Sequence, residues 1–115
     1  MRELVKVFKA LADKNRLRIL KMLQQKKMCV CELAAALGIT QPSVSRHLSL
    51  MKDAGLVSDH RNSPWIDYGL CEDKINQYAP VIQSYLKEWI NDDLKVKEDL
   101  KKIKSLRRED LCSKV

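Results

Sequence analysis

The chain has 115 residues, which is enough for one compact domain with one core and too few for a separate catalytic domain beside it. Hydrophobic residues make up 45% and charged residues 32%, a composition typical of a helix-rich globular protein. The formal net charge is +7, and residues 1–28 carry all of that excess with nine basic and two acidic side chains. Such a charge distribution suits a polyanion such as DNA, although a solvated lysine-rich helix pair would have the same composition.

The sequence also indicates the compartment. No apolar run is long enough to cross a bilayer, and the first residues alternate charged with apolar side chains, unlike a secretory signal. We therefore expect a cytoplasmic protein with no membrane partner. In a reducing compartment, cysteines are expected to be thiols or metal ligands rather than a disulfide framework. The cysteines are Cys29, Cys31, Cys71 and Cys112.

Three short helices are predicted first, from apolar residues that repeat at three- and four-residue spacing. The first is an amphipathic helix around Phe8. Asp13 can cap the second helix, because its carboxylate accepts a backbone N–H in the next turn. The third is expected from about Val30 to Leu37, where Gly38 can end it because glycine tolerates a positive φ.

A fourth helix is predicted to begin at Gln41, with Thr40 as its cap. Pro42 lies in the first turn of this helix, where no backbone N–H is required. Gly55 is expected to end it. The apolar stripe that should face the core consists of Val44, Leu48 and Met51.

Two stretches in which apolar and polar residues alternate, 56–61 and 65–70, follow the fourth helix. The turn-forming residues Asn62-Ser63-Pro64 separate them, so the two stretches predict a β-hairpin. Two short helices joined by a tight turn and followed by a hairpin are typical of a winged helix-turn-helix. We therefore predict a mainly α fold with a small β-hairpin, of the winged helix-turn-helix class.

Beyond the hairpin, apolar residues between Ile75 and Trp89 repeat at helical spacing, and Pro80 is expected to start or kink that helix. The Asn91-Asp92-Asp93 segment can break the chain and cap another helix. The stretch 94–108 has only a thin apolar stripe. These observations divide the chain into a winged helix-turn-helix domain at 1–92 and a C-terminal helical extension or tail at 93–115.

The face of the fourth helix opposite its apolar stripe is suited to DNA. Small hydroxyls at Ser43 and Ser45 let a helix sit deep in a major groove, and Arg46 can reach phosphate or guanine. His47 lies nearer the core and is equally consistent with a packed histidine. The alternative is a helical bundle whose polar surface binds no DNA. The candidate DNA-binding residues are Gln41, Ser43, Ser45, Arg46, His47 and, at the hairpin tip, Arg61.

Cys29 and Cys31 flank the start of the third helix. Residues two apart point about 200° away from each other in a regular helix, so the two sulfurs could share an ion only if the first turn unwinds. We expect the helix N-terminus, with Lys26 and Lys27, to lower the thiol pKa and favour the thiolate. Thiolates select soft ions, and a site with few sulfurs fits a trivalent metalloid better than zinc. Two ordinary half-buried cysteines are the alternative.

These motifs together resemble the ArsR family, also called ArsR/SmtB, of metal- and metalloid-responsive repressors, over roughly residues 4–90. The motifs that carry the resemblance are Phe8-Lys-Ala-Leu-Ala-Asp, Asn15-Arg-Leu-Arg-Ile-Leu, Cys29-Val-Cys-Glu-Leu, Gln41-Pro-Ser-Val-Ser-Arg-His-Leu and Ala54-Gly-Leu-Val. The third of them resembles the arsenic and antimony site of the arsenical-resistance repressors of this family.

The resemblance implies a homodimer that represses transcription by binding an inverted-repeat operator. It implies that arsenite or antimonite binds Cys29 and Cys31 and thereby releases the DNA. It also implies that the first helix and the helix containing Tyr85 and Trp89 form the dimer interface. Some arsenic sensors of the family have a third cysteine where this chain has Ala34. A third sulfur, if used, must come from Cys71, Cys112, the other subunit or a small thiol.

Other functions stay open at this point. Residues 1–28 lack the cysteines of the cadmium and lead sensors of the family, and residues 73–93 lack the histidines of its zinc sensors, which favours arsenite over Cd, Pb or Zn. A redox or persulfide sensor of the same fold is an alternative. A metal-carrier or interaction module that binds no DNA is another. No Gly-rich phosphate loop or catalytic pairing is visible, so we do not expect an enzyme.

Overall fold

The computed structural model describes residues 1–73 and 75–111, so Cys112 lies outside the described residues. Within this part of the chain the secondary structure is predominantly helical, with one antiparallel hairpin between α4 and α5. In chain order the elements are α1 (Arg2–Leu11), α2 (Lys14–Leu23), α3 (Val30–Leu37), α4 (Gln41–Asp53), β1 (Val57–Asn62), β2 (Trp65–Leu70), α5 (Ala79–Leu86), α6 (Leu94–Ile103) and α7 (Arg108–Leu111). No described helix has the length and apolar character that a membrane span requires.

The predicted helix boundaries are confirmed at four capping residues. The carboxylates of Asp13 and Asp93 each accept two backbone N–H bonds in the first turns of α2 and α6. Thr40 Oγ1 accepts a bond of 3.3 Å from the Ser43 N–H at the start of α4. Gly38 ends α3 in the left-handed region, with φ of +71°. Local polar side chains therefore determine where these helices begin and end.

The apolar stripe predicted for α4 is confirmed as buried. It packs with residues of α2 and α3 and with the residues that lead into β1, so one core joins the helix-turn-helix to the hairpin. The three stripe residues are no more than 1% exposed, and they are Val44, Leu48 and Met51. Because this side of α4 is fixed in the core, its opposite side is fixed toward solvent.

The predicted hairpin is confirmed with Val57 opposite Leu70, and its strands close at a turn formed by Ser63 and Pro64. The hairpin also pairs with the segment that precedes α3. Met28 and Tyr68 exchange backbone hydrogen bonds of 3.0 and 2.8 Å. The residue before the Cys-Val-Cys motif is therefore held to the second strand of the wing, and the predicted winged helix-turn-helix is confirmed.

The helix after the hairpin is shorter than the apolar repeat predicts. Pro80 lies in the first turn of α5, which ends at Leu86 instead of continuing through Trp89. Ile90 has a φ of +54°, a conformation that an α-helix cannot contain. The rings of Tyr85 and Trp89 still stack, with centroids 5.4 Å apart, and both side chains are about half exposed.

The first helix of the C-terminal extension, α6, packs against the rest of the protein. The thin apolar stripe of α6 enters the common core, where Val96 and Ile103 are 3% and 2% exposed. Arg18 of α2 forms a bidentate ion pair with Asp99 of α6, with Nε–Oδ2 and Nη2–Oδ1 distances of 2.7 and 3.0 Å. This pair fixes the position of α6 against α2.

Replacing Asp99 by Ala should lower the free energy of unfolding by roughly 3 kcal/mol, because it leaves the mostly buried Arg18 guanidinium without its counter-charge. Asp99 has a side chain that is only 3% exposed. Glu98→Ala is the matched control, since that side chain is 68% exposed and should cost less than about 0.5 kcal/mol. Urea unfolding followed by circular dichroism measures both. Equal midpoints for the two variants would contradict the structural role of the pair.

Candidate DNA-contact surface and cysteine site

The outward side of α4 brings four of the predicted DNA-binding residues together. Gln41, Ser45 and Arg46 are exposed, and Ser43 is half-buried. Arg46 Nη2 donates to Ser43 Oγ at 3.3 Å, so the guanidinium lies along the helix surface rather than being folded into the core. A helix with a buried stripe and small polar or cationic residues on the other side can enter a major groove.

His47, which the sequence predicted equally well as a DNA contact or a packed histidine, has an inward contact. Arg16 Nη1 lies 3.2 Å from His47 Nδ1, and Arg16 also donates to the carbonyls of Lys9 and Ala10 at the end of α1. A guanidinium can only donate, so Nδ1 is the acceptor in this contact. His47 is half-buried, and its contact with Arg16 places it at the junction of α1, α2 and α4.

Arg61 lies on β1, opposite Ile66, and both side chains are exposed. The hairpin is connected to the end of α4 by an ion pair of 3.0 Å between Lys52 Nζ and Asp59 Oδ2. Because this pair is partly exposed, it orients the hairpin more than it stabilises the fold. It nevertheless gives α4 and the wing a direct side-chain contact.

Cys29 lies just outside the regular part of α3. It is the N-cap residue, with an extended backbone at φ −89° and ψ 170°, and it is 3% exposed. Its backbone N–H donates to Glu32 Oε1 at 3.0 Å, and the Glu32 backbone faces the Cys29 sulfur, which completes a capping box. The first cysteine of the motif therefore already has a non-helical backbone, and the opposed directions expected of two helical residues do not apply to it.

The prediction of an acidic, thiolate-forming cysteine is wrong for Cys29. Burial raises the pKa of its thiol, and the Glu32 carboxylate adds to that effect, while the Glu32 backbone N–H and Arg108 oppose it. Lys26 does not act on the sulfur as expected. Its Nζ donates to the Ile103 carbonyl at 3.1 Å and lies 3.9 Å from Glu32 Oε2. The lysine charge is therefore directed to the carboxylate instead of the thiol.

Cys31 lies in the first turn of α3 and is half-buried. Gln41 Nε2 donates to Cys31 Sγ at 3.6 Å, so the cysteine motif contacts the first residue of α4. Cys31 is disulfide-bonded, which corrects the expectation that the cysteines are all thiols or ligands. A disulfide depends on a second sulfur at bonding distance, and neither composition nor spacing along the chain reveals such a neighbour.

Cys71 follows β2 and is half-buried. Its backbone N–H donates to the Leu56 carbonyl at 2.9 Å, and its Sγ contacts the Asp73 carbonyl at 3.5 Å. Over residues 1–73 and 75–111, no group of three or more His, Cys, Asp or Glu side chains is arranged to hold a metal ion. The structure therefore does not bring Cys71 together with Cys29 and Cys31 as a preformed three-sulfur site.

Two residues of this region were not identified from the sequence. Glu32 is 4% exposed and joins the Cys29 cap to charged side chains. A glutamate three residues after a cap is a recognisable signal, although a cysteine in the cap position conceals it. Arg108 Nη2 lies 3.4 Å from Glu32 Oε1, and its distance along the sequence gave no indication of this contact.

A protein in which Cys29 is the only cysteine should alkylate slowly at neutral pH, because burial raises the pKa of its thiol. The measurement is the rate of iodoacetamide labelling against pH in the Cys31→Ser, Cys71→Ser, Cys112→Ser protein. We expect a midpoint above the value of about 8.5 for an ordinary cysteine. The same protein in denaturant is the control, and a native midpoint at or below the denatured one would contradict the burial argument.

Comparison with known proteins identifies the family. The model of bacterial regulatory proteins of the arsR family matches residues 13–59. The arsenical resistance operon repressor of Escherichia coli (strain K12) is 42% identical over 67 residues, which are 57% of this chain and 57% of that protein. The arsenic resistance transcriptional regulator ArsR2 of Pseudomonas putida is 33% identical over 91 residues, which cover 76% of this chain and 79% of that protein. The chain thus spans little more than half the length of the Escherichia coli repressor.

A solved structure has the same architecture. The homodimeric winged helix-turn-helix DNA-binding domain of Mb0332 from Mycobacterium bovis, a possible ArsR-family transcriptional regulator, matches with a TM-score of 0.63. Its sequence identity is 29%, and the match covers 76% of this chain and 81% of that one. The motifs, the fold and these relatives agree, and the chain belongs to the ArsR/SmtB family of bacterial transcriptional regulators.

Proposed function

We propose that this chain is a homodimeric repressor that binds an inverted-repeat operator and releases it when arsenite or antimonite binds Cys29 and Cys31. The observation that carries this proposal is the 3.6 Å contact from Gln41 Nε2 to Cys31 Sγ. It joins a candidate ligand of the ion directly to a candidate DNA-binding residue. The names of the two arsenic-resistance relatives support the same effector.

The chemistry of arsenite suits a protonated thiol. Arsenous acid is neutral, and each As–S bond that forms combines the thiol proton with an arsenic-bound hydroxide and releases one water. Burial raises the pKa of Cys29, so its thiol still carries the proton that this exchange requires. Cys31 must first be reduced. Two sulfurs leave one position on arsenic, which a hydroxide or a third sulfur fills, from Cys71, Cys112, the other subunit or a small thiol.

Binding of one arsenic by both cysteines would change the start of α3. Cys29 is the cap and Cys31 lies in the first turn, so bringing their sulfurs onto one atom alters the capping geometry. It also moves the sulfur that accepts from Gln41. Because α3 and α4 share the core, a change in α3 moves the helix that reads DNA. Couplings of this kind are typically about 1–3 kcal/mol, and two sites in a dimer would approach the roughly 5.5 kcal/mol of a nearly complete switch.

The surface of the single chain supports the dimer. Large apolar side chains of α1 and of the segment around α5 are each about half exposed: Phe8, Val81, Tyr85 and Trp89. Two of them, Tyr85 and Trp89, stack on each other, and exposed apolar side chains in contact are suited to a partner surface. A twofold dimer presents two recognition helices to two half-sites of an inverted repeat. The six residues proposed to contact DNA remain Gln41, Ser43, Ser45, Arg46, His47 and Arg61.

The disulfide at Cys31 favours one second candidate, a repressor of the same fold that senses oxidants through this sulfur. The two candidates separate in one operator-binding assay. Arsenite added with a non-thiol reductant should release the DNA if the metalloid is the signal. Peroxide without arsenite should release it if oxidation is the signal. Cadmium and zinc, titrated in the same way, test whether this chain instead responds to divalent metals.

The Cys29→Ser, Cys31→Ser double variant should bind operator DNA as tightly as the parent protein and should not respond to arsenite, because it keeps the fold and lacks both ligands. Fluorescence anisotropy of labelled operator, in the presence of a non-thiol reductant, measures both properties. Cys71→Ser is the matched control and should still respond. Release of the double variant at the arsenite concentration that releases the control would show that the site is wrong.

Arg46→Ala should weaken operator binding by roughly 1–3 kcal/mol, and Ser43→Ala should weaken it by less, because the first loses a charged contact and the second a hydroxyl. Lys97→Ala is the control, since this exposed lysine of α6 carries the same charge far from α4 in sequence. Binding measured at several salt concentrations should show a shallower salt dependence for Arg46→Ala. If both α4 variants bind like Lys97→Ala, α4 does not carry the DNA contact. A salt-dependent operator affinity would exclude a module that does not bind DNA.

A further inference from the structure

Arg108, in α7, lies between the cysteine site and the hairpin. Its side chain is 17% exposed, and its guanidinium contacts side chains of two other elements. Nη2 lies 3.4 Å from Glu32 Oε1 and 2.9 Å from Asp67 Oδ1. Its Cζ lies 4.8 Å from the centroid of the Trp65 ring. The planar guanidinium is well suited to face carboxylates at its edge while stacking on an aromatic ring.

At the cysteine end, Arg108 and Cys29 both contact the same carboxylate oxygen. Glu32 Oε1, which the guanidinium approaches, is also the oxygen that accepts the Cys29 backbone N–H at 3.0 Å. A second cation near Glu32 is Lys26, whose side chain is 41% exposed and whose Nζ lies 3.9 Å from Glu32 Oε2. A displacement of the Cys29 cap therefore changes the position or the hydrogen bonding of the carboxylate that Arg108 holds.

At the hairpin end, Arg108 contacts one face of β2. Trp65 and Asp67 are two residues apart on the strand, so their side chains point to the same side. Asp67 is 8% exposed, and its second oxygen accepts a bond of 2.9 Å from Asn62 Nδ2 at the end of β1. The guanidinium is thus attached to the part of the hairpin that adjoins the turn.

We propose that Arg108 is a positioning residue that transmits the change at Cys29 to the hairpin, so that α7 forms part of the sensor. This inference rests on the proposed function. Glu32 and Asp67 are both buried carboxylates, and Arg108 is the cation that lies within 3.5 Å of each among the described residues. Without it, the carboxylates repel each other and the side-chain connection from the cap to the hairpin is lost.

The test compares Arg108→Gln with Arg107→Gln, which removes the same charge. Arg107 is the matched control, because its side chain is 74% exposed and its ion pair with Glu109 spans 4.0 Å. Both variants should bind operator within about threefold of the parent protein, because neither side chain is among the proposed DNA contacts. The Arg108 variant should need at least about tenfold more arsenite for half-release, within the range of typical allosteric couplings. The control should need no more than the parent protein.

A second readout follows Trp65 directly. In protein labelled with fluorotryptophan, the fluorine resonance of Trp65 is assigned by its loss in Trp65→Phe. Arsenite should shift this resonance in the Arg107→Gln protein and leave it unshifted in the Arg108→Gln protein. Arg108→Lys keeps the charge without the planar fork and should give an intermediate response. Equal arsenite titrations for the two Gln variants, or equal resonance shifts, would overturn the role of Arg108.

The design separates this inference from the function on which it rests. If arsenite protects no thiol of the Arg107→Gln protein from alkylation, the proposed function fails. If that protein binds arsenite and releases DNA while Arg108→Gln follows the same titration, the role of Arg108 alone is overturned. Should Arg108→Gln not fold, Asp67→Asn provides the same comparison, because it removes the charge at the hairpin end and preserves the side-chain shape.

Discussion

The hydrogen bond from the Cys29 backbone N–H to Glu32 Oε1 holds the start of α3, and the other contacts of this region depend on it. It leaves Cys29 at a helix cap with an extended backbone, directly after the residue that pairs with Tyr68 of the wing. It also keeps the Glu32 carboxylate in place for Arg108. A ligand that acts on Cys29 therefore acts on a junction of α3, the hairpin and α7.

Burial of this junction changes the chemistry expected of it. A helix N-terminus and nearby lysines would favour a thiolate on an exposed cysteine, but the desolvation of Cys29 outweighs them and raises the pKa of its thiol. A protonated thiol is a poor nucleophile toward an alkylating reagent, yet it suits an exchange in which its proton leaves with an arsenic-bound hydroxide as water. The same burial that lowers general reactivity is thus compatible with a selective metalloid site.

Local signals in the sequence predicted most of the fold. Capping by Asp13 and Asp93, the left-handed Gly38 and the apolar stripe of α4 each depend on residues a few positions apart, and the structure confirms them. The length of α5 was predicted less well, because the left-handed Ile90 interrupts a repeat that looks continuous in the sequence. For the candidate site, the sequence indicated Cys29 and Cys31 but neither the Glu32 cap nor the burial that sets the thiol pKa. The ion pairs of Asp99 and Arg108 join residues far apart in the chain, and no spacing rule reveals such contacts.

We propose that operator release and occupation of Cys29 and Cys31 are the same event. The most direct measurement titrates arsenite, under reduction, into the protein–operator complex and follows anisotropy while alkylation and peptide mass spectrometry count the thiols still reactive at each cysteine. We expect Cys29 and Cys31 to lose reactivity together, in step with DNA release, while a protein lacking both stays bound. Release that precedes their protection, or that leaves both thiols reactive, would contradict it.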